Sequence, residues 1–192
     1  MLAKSLGKNN NKNRSHFMKT TLIAAASLLL SCSLIAQSTK ESESKTVGGA
    51  TITIDYASPK VNGRAGKLFG KDGRIAQDPN YPIWRAGANA ATKLTTSAAI
   101  EVGGVALAPG AYSLYVDLSD PAAWVLVINK ATGQWGLKYD KAQDAGRVKM
   151  TMAKPAGLAE ALKYTIADKG GKKGTLTLEW ENVSASVPLV VK

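Results

Sequence analysis

The sequence predicts an all-β domain over residues 46–192, an antiparallel β-sandwich or jelly-roll-like single domain with a closed β-barrel as the alternative. Three observations carry this. Short runs alternate apolar and polar residues, Gly- and Pro-containing turns separate them at roughly eight- to twelve-residue intervals, and no long stretch keeps an apolar period of three to four. Residues 37–45, rich in Ser, Glu and Lys, read as a flexible tether, with order beginning near Thr46.

The first strand is Thr51-Ile52-Thr53-Ile54-Asp55-Tyr56. Its alternation puts Ile52, Ile54 and Tyr56 on one face and Asp55 on the other. Similar runs follow at Thr92–Thr96, Ile100–Val102, Ala111–Leu118, Trp124–Asn129, Arg147–Met152, Lys163–Ala167, Thr175–Trp180 and Val187–Val191, giving about nine strands. Gly103-Gly104 has the composition of a hairpin turn. Pro109-Gly110 and Ser119-Asp120-Pro121 read as loops, and Gly170 to Gly174 links two late strands, so the pairing is antiparallel. Tyr112, Leu114, Trp124, Leu126, Ile128, Leu176 and Leu178 are the expected inward residues. Pro188 marks the last run as an edge strand, because proline cannot donate to a central ladder. Only Ala156–Leu162 has room for a turn or two of helix.

Ahead of this domain, residues 1–36 form a leader. Met18-Lys19 is followed by Thr20-Thr21 and an apolar run that ends in small residues, the pattern of a signal peptide over residues 18–36. The polar stretch from Lys8 to Arg14 is long for such a leader, so Met18 is the expected start and residues 1–17 a mis-assigned extension. Cleavage after Ala36 gives a periplasmic or secreted chain. The alternative site, Leu29-Leu30-Ser31-Cys32, would make Cys32 the lipidated first residue and tether the protein to a membrane. The leader also accounts for part of the basicity. The chain carries +11 overall, and the leader holds Lys4, Lys8, Lys12, Arg14 and Lys19 with no acidic residue, so 11 − 5 leaves +6. The remaining cations are scattered along the sequence without a basic helix, which argues against nucleic acid as a partner.

The single histidine, His16, lies in the leader. The domain therefore has no imidazole for a Ser-His-Asp or Cys-His mechanism or for a His-ligated metal, and no cysteine pair for a disulfide. No cofactor is expected and no metal site is assigned. Asp72 to Asn80 offers oxygens to calcium but lacks EF-hand spacing and reads as a surface turn. Paired carboxylates remain the one common catalytic scheme, with Asp55 and then Glu101, Asp117 or Glu179 as its candidates.

Several motifs together carry a resemblance. They are Tyr56-Ala57-Ser58-Pro59, Gly63-Arg64, Leu68-Phe69-Gly70, Trp84-Arg85-Ala86-Gly87-Ala88-Asn89-Ala90-Ala91-Thr92, Pro109-Gly110-Ala111-Tyr112-Ser113-Leu114, Gln134-Trp135-Gly136 and Leu178-Glu179-Trp180. In order and composition the chain resembles the domain of unknown function 2911 family from Thr46 almost to Lys192. The resemblance implies exported, β-rich bacterial proteins common among Bacteroidetes-like bacteria, with no established activity, cofactor or partner. Two departures stand out: Ala57-Ser58 replaces the family's usual Ser-Arg, and Lys71 to Tyr81 is longer than the usual link.

The candidate ligand-binding residues are Arg64, Trp84, Arg85 and Asn89 on loops near a Gly-rich turn, together with Asp55 and Trp135. Arginine forks suit carboxylates, phosphates or sugar hydroxyls, and an indole face stacks on a sugar ring. The competing structural role has Arg85 paired with a carboxylate and Trp84 plugging the end of the sandwich. Three functions follow in order: a non-enzymatic binding module for a small polar or glycan-like ligand, a structural or assembly protein of the cell envelope, and a carboxylate-based glycan hydrolase.

Overall fold

The computed structural model describes residues 38–192. The expected start at Met18, cleavage after Ala36 and lipidation of Cys32 fall outside the described residues. Within them, no helix is long and apolar enough to cross a membrane.

Thirteen strands form two sheets: β1 (Thr39–Val47), β2 (Ala50–Ser58), β3 (Ile83–Trp84), β4 (Thr92–Thr96), β5 (Ile100–Val102), β6 (Val105–Leu107), β7 (Gly110–Asp117), β8 (Val125–Asn129), β9 (Asp144–Lys149), β10 (Thr151–Ala153), β11 (Ala159–Asp168), β12 (Lys173–Glu181) and β13 (Val183–Val191). One sheet has the order β1-β2-β4-β7-β8-β9, with β3 beside β7; the other runs β11-β12-β13-β5-β6, with β10 beside β13. Neither closes on itself, so the fold is an antiparallel sandwich and not a barrel.

The alternation explains the layering. Ile52, Ile54, Leu94, Leu114, Leu126 and Ile128 point inward from the first sheet and meet Leu162, Tyr164, Ile166, Leu176, Leu178 and Leu189 from the second, all buried. Each large aliphatic side chain removed from water in this way stabilises the fold by about 1.5–3 kcal/mol. Tyr112 is only partly buried at the rim of this core, where its hydroxyl donates to the Ala108 carbonyl at 3.0 Å. Gly103 and Gly104, at φ +52° and +94°, make the expected hairpin turn between β5 and β6. The described residues carry a continuous core and two complete sheets, the features of an independently folding domain.

Four expectations are corrected. The tether at residues 37–45 is largely strand β1, in continuous register with β2 from Thr39 opposite Ser58 to Val47 opposite Ala50. Its polar composition is that of an edge strand: Ser42 Oγ donates to Asp55 at 2.8 Å, Ser44 and Thr53 share a 2.9 Å bond, and only Val47 enters the core. The run from Arg147 to Met152 is two strands, because the buried Met150 is the point where the chain leaves β9 in one sheet and joins the other as β10. Ala156–Leu162 is not helical. From Ala159 it belongs to β11, with a register irregularity before Lys163.

The last strand, β13, is central and not an edge. It pairs with β12 on one side and on the other with β10 at Ser184–Ser186 and β5 at Leu189–Val191. Pro188 falls in the gap between those two partners, where its carbonyl still accepts from Gly103 N at 2.9 Å and no amide is needed.

The connection between β2 and β3 closes one end of the sandwich. Leu68 and Ile75 are buried, and Phe69 joins Trp84, Trp124 and Trp180 in an aromatic cluster. Trp84 stacks on Trp180 with ring centres 5.7 Å apart.

Candidate functional site

Register aligns one polar residue per strand across the outer face of the seven-stranded sheet. Ser42 on β1 stands opposite Asp55 on β2, which faces Lys93 on β4, then Ser113 on β7 and Asn129 on β8. Side chains at paired positions lie on one face, so the five form a continuous stripe.

The far half of this stripe is covered by the segment between β8 and β9. Gln134 Nε2 donates to Ser113 Oγ at 3.2 Å and Tyr115 Oη at 3.0 Å. The fully buried Asn129 donates to the Asp140 carbonyl at 2.8 Å and the Asp144 carboxylate at 2.9 Å, and accepts from Ala131 N at 3.0 Å. Asp144 also accepts from the Tyr139 hydroxyl at 2.8 Å and Arg147 Nε at 3.1 Å. Burial, reinforced by the Asp144 carboxylate, pushes the Tyr139 hydroxyl up to about 12, so it stays a donor at neutral pH.

The near half is open. Ser42, Asp55 and Lys93 line a cleft of about 690 Å³ with Lys40, Tyr56, Asn89, Ala90, Ala91 and Gly133. Asp55 accepts from Lys93 Nζ at 2.9 Å, and this lysine, opposed by some desolvation and aided by Ser42, holds the carboxyl below its ordinary 3.8. Asn89 adopts φ +61°, a left-handed conformation that asparagine tolerates, and its carbonyl accepts from Gly136 N at 2.9 Å. Residues 89–91 are thus fixed to the covering segment as a wall. Gly136 has no room for a side chain: a Cβ there would lie 2.3 Å from Arg85 Cδ and 2.7 Å from the Asn89 carbonyl. Trp135, 49% exposed, bridges Ala90 of that wall through the backbone.

The six candidate residues therefore separate. Asp55 and Asn89 line the cleft, with Trp135 beside it. Trp84 is 2% exposed inside the aromatic cluster, in the structural place that competed with a binding role. Arg85 lies behind the wall; its Nη2 is 3.5 Å from Asp78, and its buried Nε and Nη1 have no hydrogen-bond partner among the described residues. Arg64 grips its own loop, donating from Nε to the Val61 carbonyl at 2.8 Å and from Nη2 to Lys60 at 2.6 Å. Of the further carboxylates, Glu101 pairs with Lys192, Asp117 with Arg147 and Glu179 with Lys163, none of them in the cleft. Between Asp72 and Asn80, Asp78 faces Arg85 and Asn80 Nδ2 donates to the Leu137 carbonyl at 2.6 Å. No group of three or more potential metal ligands comes together among the described residues.

Lys93, Ser42 and Lys40 escape sequence reasoning, because the signal that unites them with Asp55 is inter-strand register. The depressed Asp55 pKa has a measurable consequence. Its contribution to stability is complete above the unfolded value near 3.8 and is lost as pH falls through the lower folded value. In acid titrations of stability, Asp55→Asn should lose that segment of the pH dependence; an unchanged profile would show that the Lys93 pair contributes nothing. The effect is small, since both partners are 43% exposed and screened by solvent.

No functionally curated protein and no solved structure matches the chain. The model of a family described as protein of unknown function (DUF2911) matches residues 38–189, from the first strand to the last, and the chain belongs to that family.

Proposed function

We propose that this chain is an exported, non-enzymatic binding module whose cleft takes a small, neutral, glycan-like ligand. One observation carries the reading: the open half of the polar stripe, where Asp55, Lys93 and Asn89 line a cleft whose Ala90 wall is bridged through the backbone to the exposed Trp135. Lys93 and Asp55 neutralise each other at 2.9 Å, so the centre of the cleft has no net charge to recommend an ionic ligand. An ionised carboxylate accepts from sugar hydroxyls, an ammonium donates to them, and an amide does both. An indole face beside such groups stacks on the apolar face of a sugar ring. Export rests on the basic, apolar and small-residue sequence of residues 18–36.

Calorimetric titration of residues 38–192 with a panel of neutral oligosaccharides tests the reading. At least one should bind, Asp55→Ala should weaken it by about tenfold or more, and Trp135→Ala should weaken it comparably without lowering the melting temperature of the free domain. Absence of binding across the panel, or full affinity in both variants, would overturn it.

A further inference from the structure

The lysines that look scattered in the sequence converge at one end of the sandwich. Lys169, Lys172 and Lys173 surround the Gly170-Gly171 turn between β11 and β12, and Lys45 lies near the turn between β1 and β2. These two hairpins are pressed together: a Cβ on Gly48 would lie 2.9 Å from Lys172 Cα. The end of β13 joins them through Val191 N, which donates to the Lys172 carbonyl at 2.8 Å.

All four lysines are exposed, and none makes an ion pair among the described residues. The acidic groups at this end are already engaged. Glu101 pairs with Lys192, and Asp168 accepts from Gly170 N at 2.9 Å. Counting Asp168 and Glu43, which accepts from Ile166 N at 3.3 Å, against the four lysines leaves +2, a third of the +6 carried outside the leader. Ser97-Ala98-Ala99 and Ala108-Pro109, at the same end, are uncharged.

The chemistry of this tip selects its partner. Lysine ammonium groups are mobile point charges, suited to a diffuse anionic surface more than to bidentate recognition. No arginine and no exposed aromatic ring stands among them, which removes the fork contacts and stacking platforms of nucleic-acid readers. A pair of hairpin turns is convex and meets a flat surface without a groove.

We infer that the Lys45, Lys169, Lys172 and Lys173 tip seats the domain on anionic phospholipid headgroups of a bilayer. Basic residues near such a surface each add to the attraction, which decays within a Debye length. The glycan cleft is displaced toward the other end of β1. From Ser42 to the Gly48 turn is roughly 20 Å at the ordinary strand rise, so a domain seated on its tip keeps the cleft clear of the bilayer.

Vesicle co-sedimentation of residues 38–192 tests this without reference to any sugar. Binding is expected to vesicles containing phosphatidylglycerol at low ionic strength, with none to pure phosphatidylcholine and release at high salt. The triple variant Lys169→Gln, Lys172→Gln and Lys173→Gln should bind about two orders of magnitude more weakly, with an unchanged circular dichroism spectrum and melting temperature. Failure of the native domain to bind the anionic vesicles, equal binding to both lipids, or undiminished binding by the folded variant would overturn the inference. So would binding to single-stranded DNA in place of vesicles.

Discussion

Trp84→Ala is expected to cost the domain about 3–5 kcal/mol, read as a lower midpoint in denaturant unfolding. The indole is 2% exposed and packs against Phe69, Trp124 and Trp180, with ring centres 5.7–6.2 Å away. Its removal leaves a cavity bounded by the rings of Phe69 and Trp124 from two loop segments and of Trp180 from β12, and a rigid cluster of that kind collapses only in part. Strand β3 is two residues long and pairs only with β7, so it has little ladder to hold it once the side chain is gone. The same result separates two roles. If Trp84 served mainly to touch a ligand, its removal would leave the free domain as stable as before, and an unchanged midpoint would restore that role.

Trp84 also shows how far the sequence could be read. Alternation placed Thr92–Thr96 and Ile100–Val102 within their observed bounds and identified the buried faces of β2, β8 and β12, because a half-buried strand writes its two faces into successive residues. It did not reveal β1. Apart from Val47, β1 has no residue in the core, so its Ser, Glu and Lys residues are indistinguishable from a linker until β2 is set beside it. Nor did it show that Pro188 sits where two partner strands meet, a property of three strands at once.

The site was legible for the same physical reason only in part. Asp55 could be assigned to the outer face from β2 alone, whereas its neighbours Ser42 and Lys93 arrive from 13 residues upstream and 38 downstream through register. The Arg64, Trp84, Arg85 and Asn89 grouping rested on nearness in composition and sequence. Folding sends those side chains to a loop backbone, the aromatic cluster, the back of a wall and the cleft itself. The lysine tip repeats the lesson: Gly48 and Lys172 are far apart along the chain and meet because two hairpins end at the same level.

The covering segment gives the second large effect. Asn129→Leu keeps the branching of the side chain, in a larger volume, and removes three hydrogen bonds at a fully buried position, to the Asp140 carbonyl, the Asp144 carboxylate and the Ala131 amide. Leaving such groups without partners costs about 1–3 kcal/mol each, and some regain water as the segment loosens, so a net loss of roughly 2–4 kcal/mol is expected. Its location distinguishes it from the Trp84 variant. Amide hydrogen exchange should accelerate across residues 130–143 well before β12 and β13, because the inner core is untouched while Asp144 keeps only Tyr139 and Arg147. Gly133 and Trp135 ride on that segment, and Gly136 anchors Asn89 from it, so any glycan affinity should fall with it. Exchange that rises uniformly over the whole domain would mean that the cover and the core unfold as one unit. Exchange that does not change would mean that Gln134 and the Tyr139–Asp144–Arg147 network hold the cover without Asn129.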